Sequence, residues 1–189
     1  MDTKTNSDHR LIRDFKVLEK TIARLKKKHM KIVLTQGVWD LIHEGHAKYL
    51  EAAKAHGDIL VVGLDSDALT RLRKGLNRPI VPEQERIQML THLRHVDIVT
   101  VRDTDHDIGH LIRLVRPDVL ITSSSTPDFK SDLKAGKYGE FCKKIVTLPP
   151  QATMHTSARI RNLTIEGVEK LADEVAKLTK DFIKKIRTV

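Results

Sequence analysis

The sequence predicts an α/β fold: a Rossmann-like, parallel five-stranded sheet flanked by helices, with extra amphipathic helices at the N- and C-termini. Two observations carry that expectation. Between residue 31 and about residue 163, short apolar runs alternate with stretches of helical periodicity, and strand–helix alternation closes into a parallel sheet through right-handed crossovers. The runs are also rich in Val and Ile and nearly continuous in hydrophobicity, as strands buried on both faces are.

Each element has its own signal. Over residues 7–28, Leu11, Phe15, Leu18, Ile22 and Leu25 recur at alternating four- and three-residue steps, and Lys26-Lys27-Lys28 suits a helix C-terminus. Two heptads are too few for a coiled coil, so a helix packed on the domain or on a twin subunit is expected. Strands are predicted at 31–35, 59–63, 97–101, 119–122 and 144–148. Helices are predicted at 47–56 (starting near Gly45), 67–73, 83–93, 108–115 and, with an interruption, 129–141. From residue 165 to the end, Ile165, Val168, Leu171, Val175, Leu178, Phe182 and Ile186 form another stripe, with lysines and carboxylates interleaved. A membrane-surface helix would be more uniformly cationic on its polar face, so packing on the core or on a dimer partner is expected. The chain thus divides into an N-terminal helical extension (1–30), a sheet domain (31–163) and a C-terminal amphipathic helix (164–189).

Composition narrows the function classes. The 189 residues are 40% hydrophobic and 31% charged, which suits a soluble globular chain with ample length for a core. No apolar run approaches the ~20 residues that span a bilayer, and the start, Met-Asp-Thr-Lys-Thr-Asn-Ser, lacks a signal peptide's apolar stretch. Cys142 is the only cysteine, which excludes an internal disulfide and fits a cytoplasmic protein. The net charge of +9 points to an anionic partner. With only 4% aromatic residues there is no stacking stripe, which argues against nucleic acid.

The chemistry concentrates in residues 37–46, Gly-Val-Trp-Asp-Leu-Ile-His-Glu-Gly-His, directly after the first strand. A strand that stops at a sheet edge, a glycine that lets ligand approach, and a helix N-terminus with unpaired N–H groups make a phosphate site. His43 and His46 are spaced to reach one anion together. A zinc-protease helix needs His-Glu-x-x-His; here the second histidine comes one residue early, and spacing suggests no third ligand. Both histidines capping the helix start is the purely structural alternative. Phosphate favours protonated imidazole, and stabilising developing charge is the main service a protein renders to phosphoryl-group chemistry.

The pattern Gly37-x-Trp39-Asp40-x-x-His43-x-Gly45-His46-x-x-x-Leu50 resembles the signature of the cytidylyltransferase-like nucleotidyltransferases, which include glycerol-3-phosphate cytidylyltransferases, heptose-phosphate adenylyltransferases and archaeal-type FAD synthases. Downstream, Val62–Leu69 resembles the family's second strand and loop, Lys74-Gly75 its phosphate-contacting lysine, and Arg78–Arg86 the segment that closes over the site. His155-Thr156-Ser157-Ala158-Arg159-Ile160 is similar to the hydroxyl-bearing helix start that meets the β- and γ-phosphates. The resemblance implies transfer of a nucleoside monophosphate from ATP or CTP to a phosphorylated acceptor, with Mg²⁺ carried on the triphosphate. It implies catalysis by His43, His46 and Lys74, and nucleotide binding by Thr35, Gln36, Gly37, Val38, Trp39, Asp40, Gly45, Arg86, Thr156 and Ser157. Acceptor binding falls to Asp65, Ser123 and Ser124. A homodimer is a plausible expectation; stable membrane insertion and nucleic-acid binding are not expected.

Two departures bear on the substrate. Thr122–Asp128 reads Thr-Ser-Ser-Ser-Thr-Pro-Asp where many members carry a glycine–aspartate cluster, and Pro149–His155 lacks the Arg-Thr-Glu-Gly-Ile of the cytidylyltransferases. The 74–86 stretch is closer to the heptose-phosphate adenylyltransferases and FAD synthases, so AMP is favoured over CMP. The altered loops also leave room for a regulatory nucleotide-binding protein without turnover.

Overall fold

The computed structural model describes residues 9–124, 136–151 and 156–187, the last stretch with side chains at 164–179. The chain separates into two compact units, Met1–Gln151 and Ala152–Val189.

The first unit is the expected α/β sheet. Strands β1 (Ile32–Gly37), β2 (Ile59–Asp65), β3 (Ile98–Arg102), β4 (Val119–Ser123) and β5 (Lys144–Leu148) alternate with helices α1 (Phe15–Lys27, before β1), α2 (Glu44–Lys54), α3 (Asp67–Lys74), α4 (Glu83–His92) and α5 (His110–Val115). All strand pairs are parallel, in the order β3-β2-β1-β4-β5. Successive residues alternate between two cores, which is why the strands read as unbroken apolar runs. Ile32 and Leu34 join Val61, Leu111, Ile112 and Leu120 on one side. Val33 joins Leu50, Leu60, Val62, Ile87 and Leu90 on the other. Asp58, Asp97 and Asp118 accept backbone N–H bonds from Lys31, Leu60 and Ile32 respectively, pinning the amino ends of the strands.

The amino-terminal helix differs from its expected extent. Asp14 caps α1, accepting from the amides of Lys16 (2.7 Å) and Val17 (3.2 Å), so the helix cannot continue back to residue 7. Leu11, expected on the helical stripe, instead runs extended beside β3: Ile12 N–H donates to Val99 O and Val99 N–H to Arg10 O, each at 2.8 Å. Behind it, Leu18 and Ile22 are fully or nearly fully buried in the core, so α1 is an integral part of the first unit. The interrupted helix expected over 129–141 is a turn where it is described, from 136 to 141. Gly136 has φ +69 there, a left-handed value that helix does not accommodate, and Tyr138 is buried in the core beyond it. Residues 129–135 lie outside the described residues.

The second unit contains α6 (Thr156–Arg187), one continuous helix where a helix start at 156 and a separate helix from 165 were expected. Among the described residues, no helix is long and apolar enough to cross a membrane.

Candidate functional site

The carboxyl ends of the five parallel strands lie along one edge of the sheet, with β1 at its centre. Pairing of β1 with β2 continues to Gly37↔Leu64, whereas pairing with β4 is confined to Val33↔Val119 and Leu34↔Leu120. The central strand therefore parts from β4 beyond Leu34. This is also where the strand order reverses, the place at which open α/β sheets admit ligands. Gly37 ends β1 at that crevice. A Cβ on it would meet the Trp39 ring at 3.6 Å, an ordinary contact, so among the described residues no neighbour demands a glycine here.

The loop that follows is bent twice against its preference. Trp39 has φ 57 and Leu41 φ 45, left-handed values that a residue with a Cβ adopts at a cost of ~1–2 kcal/mol each. Three contacts hold this loop. Trp39 packs its ring into the core and donates Nε1–H to Gly63 O (3.1 Å). Asp40, buried between the two bends, accepts from the amides of Ile80 and Val81 and from Arg78 Nη1, each at 2.9 Å. Burial opposes the charge of Asp40, but the two amides and the arginine outweigh it and hold its pKa below the ordinary carboxylate value. The third contact is Val38 O, which accepts from Arg86 Nη1 at 2.5 Å.

The histidines then start α2. His43 is the N-cap, and its Nδ1 accepts from Gly45 N–H at 3.0 Å; in return His46 Nδ1 accepts from His43 N–H at 3.3 Å. This is a capping box made of two imidazoles, so the structural alternative for these residues is correct at their Nδ1 atoms. Accepting at Nδ1 fixes the tautomer and makes Nε2–H the donor of each ring. The ring centroids are 4.2 Å apart, and the His46 ring also lies 5.8 Å from that of Trp39. One cap thus serves the helix start and sets which nitrogen of each ring donates.

The remaining predicted residues divide by how the structure uses them. Thr35, buried, pairs its hydroxyl with that of Tyr49 at 3.0 Å, and burial pushes the Tyr49 phenol up to about 12. Gln36 donates to Ile108 O at 2.7 Å, tying β1 to the loop before α5. Gly45 is buried in the first turn of α2. Lys74 closes α3 and is exposed. Ser123 ends β4, and Ser124 N–H donates to Leu148 O at 3.0 Å. Thr156 and Ser157 begin α6 in the second unit; their side chains lie outside the described residues.

Arg86 and Asp65, expected to touch nucleotide and acceptor, face inward. Arg86 is almost wholly buried and ties together Val81 O (2.9 Å), Val38 O (2.5 Å), Asp65 O (2.9 Å) and Asp67 (2.6 Å). Asp65, with no exposed surface, accepts from Arg102 Nη2 (2.6 Å) and Nε (3.1 Å) and from Arg73. Unpaired buried charge is costly enough that these groups are committed to one another. Arg102 and Arg73 were missed in the sequence, and Arg78 was read only as the start of the closing segment; an arginine that ends an apolar strand was the available sign for Arg102.

The model of the cytidylyltransferase-like family matches residues 34–163. The chain belongs to this family of nucleotidyltransferases. Its curated relatives include the "Bifunctional protein HldE" of Helicobacter pylori strain G27, 49% identical over 104 residues (55% of this chain, 22% of that one), and of Helicobacter acinonychis, 40% identical over 146 residues (77% and 30%). The cytidylyltransferase-like chain therefore spans less than a third of the length of these relatives. Among solved structures, a lipopolysaccharide core biosynthesis protein from Thermoplasma volcanium matches with a TM-score of 0.56 at 28% identity, covering 64% of this chain and 98% of that one. A pantoate–β-alanine ligase from Francisella tularensis matches with the same TM-score at 16% identity, over 80% of this chain and 72% of that one, which shows a shared fold alone.

Proposed function

We propose that the chain transfers a nucleoside monophosphate, AMP in preference to CMP, from a nucleoside triphosphate to a sugar phosphate and releases pyrophosphate. The observation that supports this reading is the imidazole cap at the start of α2, in which Nδ1 of each histidine accepts and Nε2–H becomes the donor of each ring. Relatives bearing the HldE name and a lipopolysaccharide core protein support a sugar phosphate over the polyol phosphates and FMN that the sequence also allows, and the 74–86 stretch supports ATP.

In this mechanism an oxygen of the acceptor phosphate attacks the α-phosphorus. The bond from that phosphorus to the α,β-bridging oxygen breaks, and its electron pair leaves with pyrophosphate. His43 and His46 donate to the α-phosphate and bridging oxygens as charge builds there, in a geometry set before substrate arrives. The amino end of α2 adds its dipole. Lys74 meets the phosphates. Arg86 and Asp40 act by holding the loop rather than by touching phosphate. Asp40 and Asp65 are already engaged by arginines, and among the described residues no cluster of three His, Cys, Asp or Glu side chains is placed to cage a metal. An Mg²⁺ at this site would be held mainly by the triphosphate, and it would supply neutralisation of phosphate charge.

Pyrophosphate release from ATP or CTP with Mg²⁺, measured over sugar phosphates, glycerol 3-phosphate and FMN, tests the proposal. Release from ATP with a sugar phosphate is expected. Nucleotide binding without release under every acceptor would make the chain a regulatory nucleotide-binding protein instead.

A further inference from the structure

The second unit carries a face that needs covering. On α6, Ile165, Val168, Leu171, Val175 and Leu178 are all exposed, Leu171 by 61% and Leu178 by 69%. They follow one another at three- and four-residue steps, and the sequence continues the series with Phe182 and Ile186. A contiguous apolar stripe of that length on a soluble helix marks an association surface.

The charges on the same helix specify the partner. Over 164–175, Glu166, Glu169, Asp173 and Glu174 stand against the single base Lys170. Over 176–187, Lys177, Lys180, Lys184, Lys185 and Arg187 stand against the single acid Asp181. The helix macrodipole does not account for this division. Its influence ends within the first and last turns, whereas the first turn of α6 holds no acid and residues 156–163 carry only the bases Arg159 and Arg161. The acidic block begins in the third turn. A helix that is acid-rich in one half and base-rich in the next is complementary to itself when reversed, and like faces like when it is not. We infer that α6 pairs antiparallel with α6 of a second copy of this chain, the two apolar stripes in contact and the helices crossing near residues 175–176. Such a contact is two-fold symmetric and closes as a dimer. It does not depend on the proposed chemistry.

Two measurements on the full chain test it. In analytical ultracentrifugation the protein sediments as a dimer, and Leu171→Glu with Leu178→Glu weakens association at least tenfold. Both residues are exposed, so the unfolding transition of the sheet unit serves as the folding control. Orientation is read from spin-label distances in a Cys142→Ser background, in which serine keeps the hydrogen bond that Cys142 makes to Tyr138 O. Labels at Glu166→Cys sit ten residues from the crossing point in each copy, about 30 Å apart along the axis at 1.5 Å per residue; labels at Lys177→Cys sit close together. A chain that remains monomeric, including one that co-sediments with anionic vesicles, overturns the inference. So does a dimer indifferent to the double substitution, or one with short distances at both labelled positions.

Discussion

The carboxyl ends of β1 and β2 lie side by side in one sheet and use polar residues in opposite ways. Beyond the end of β1, His43 Nδ1 accepts from Gly45 N–H and His46 Nδ1 from His43 N–H, so Nε2–H is the donor of each ring. At the end of β2, Asp65 and Arg102 are buried to 0% and 1% exposure, and Arg73 and Arg86 close the group from α3 and α4. One end pairs its polar groups within a single helix start, the other across four segments of the chain. The lesson is that a charged residue at the ligand edge of a parallel sheet is not thereby a ligand residue: its bonding decides. Asp40 and Arg86 connect the two ends: Asp40 ties the 38–41 loop to Ile80 and Val81 between α3 and α4, and Arg86 of α4 donates to both Val38 O and Asp65 O.

Substitutions can separate the two roles. The largest effect on folding is expected from Asp65→Ala, which leaves Arg102 buried without its carboxylate and costs about 3–5 kcal/mol, seen as a lower midpoint in urea unfolding. His46→Ala should do the reverse: unfolding midpoint near that of the parent, pyrophosphate release down at least a hundredfold, or ~3 kcal/mol of transition-state stabilisation. Parent-level turnover in that variant would remove the imidazoles from the chemistry. Asp40→Asn falls between, because it touches the loop and not the substrate. It should lose about 1–3 kcal/mol of stability and lower turnover less than His46→Ala does. The smallest effect is on pH dependence. A carboxyl held below its ordinary value near 3.8 contributes fully above that value and loses its contribution as pH falls through the lower folded-state value. Asp40→Asn should therefore flatten the acid limb of the stability curve and leave neutral pH dependence unchanged, as followed by thermal unfolding between about pH 2 and 7.

The sheet was legible because its strands are short, Val- and Ile-rich and buried on both faces; observed and expected boundaries differ by at most two residues from β1 to β5. The histidine cap was legible because it is local, made within four residues. What escaped were bonds between residues far apart in the chain, Asp40 with Arg78 and Asp65 with Arg102, since a charge in isolation carries no sign of its partner. Leu11 escaped for a related reason. Its spacing fits the helical stripe, but the Asp14 cap and the exposed edge of β3 outweigh periodicity. The same limit separates α1 from α6. Both display an amphipathic stripe; α1 buries Leu18 and Ile22 in its own unit, while the stripe of α6 is exposed. Periodicity announces that a face needs covering and does not name the cover.

The hydrogen bonds between residues 10–12 and Val99 have a practical consequence. The family match begins at residue 34, which invites trimming everything before it. Yet β3 is an outermost strand, and Arg10 and Ile12 occupy its outward backbone groups at Val99. Trimming bares those groups and removes Leu11 and Ile12, which pack against the two cores on opposite faces of the sheet, and an uncovered outer strand is a template for pairing with neighbouring molecules. Residues 10–12 thus shield the outer strand at Val99, and a version cut back to residue 34 would open that strand to pairing between molecules.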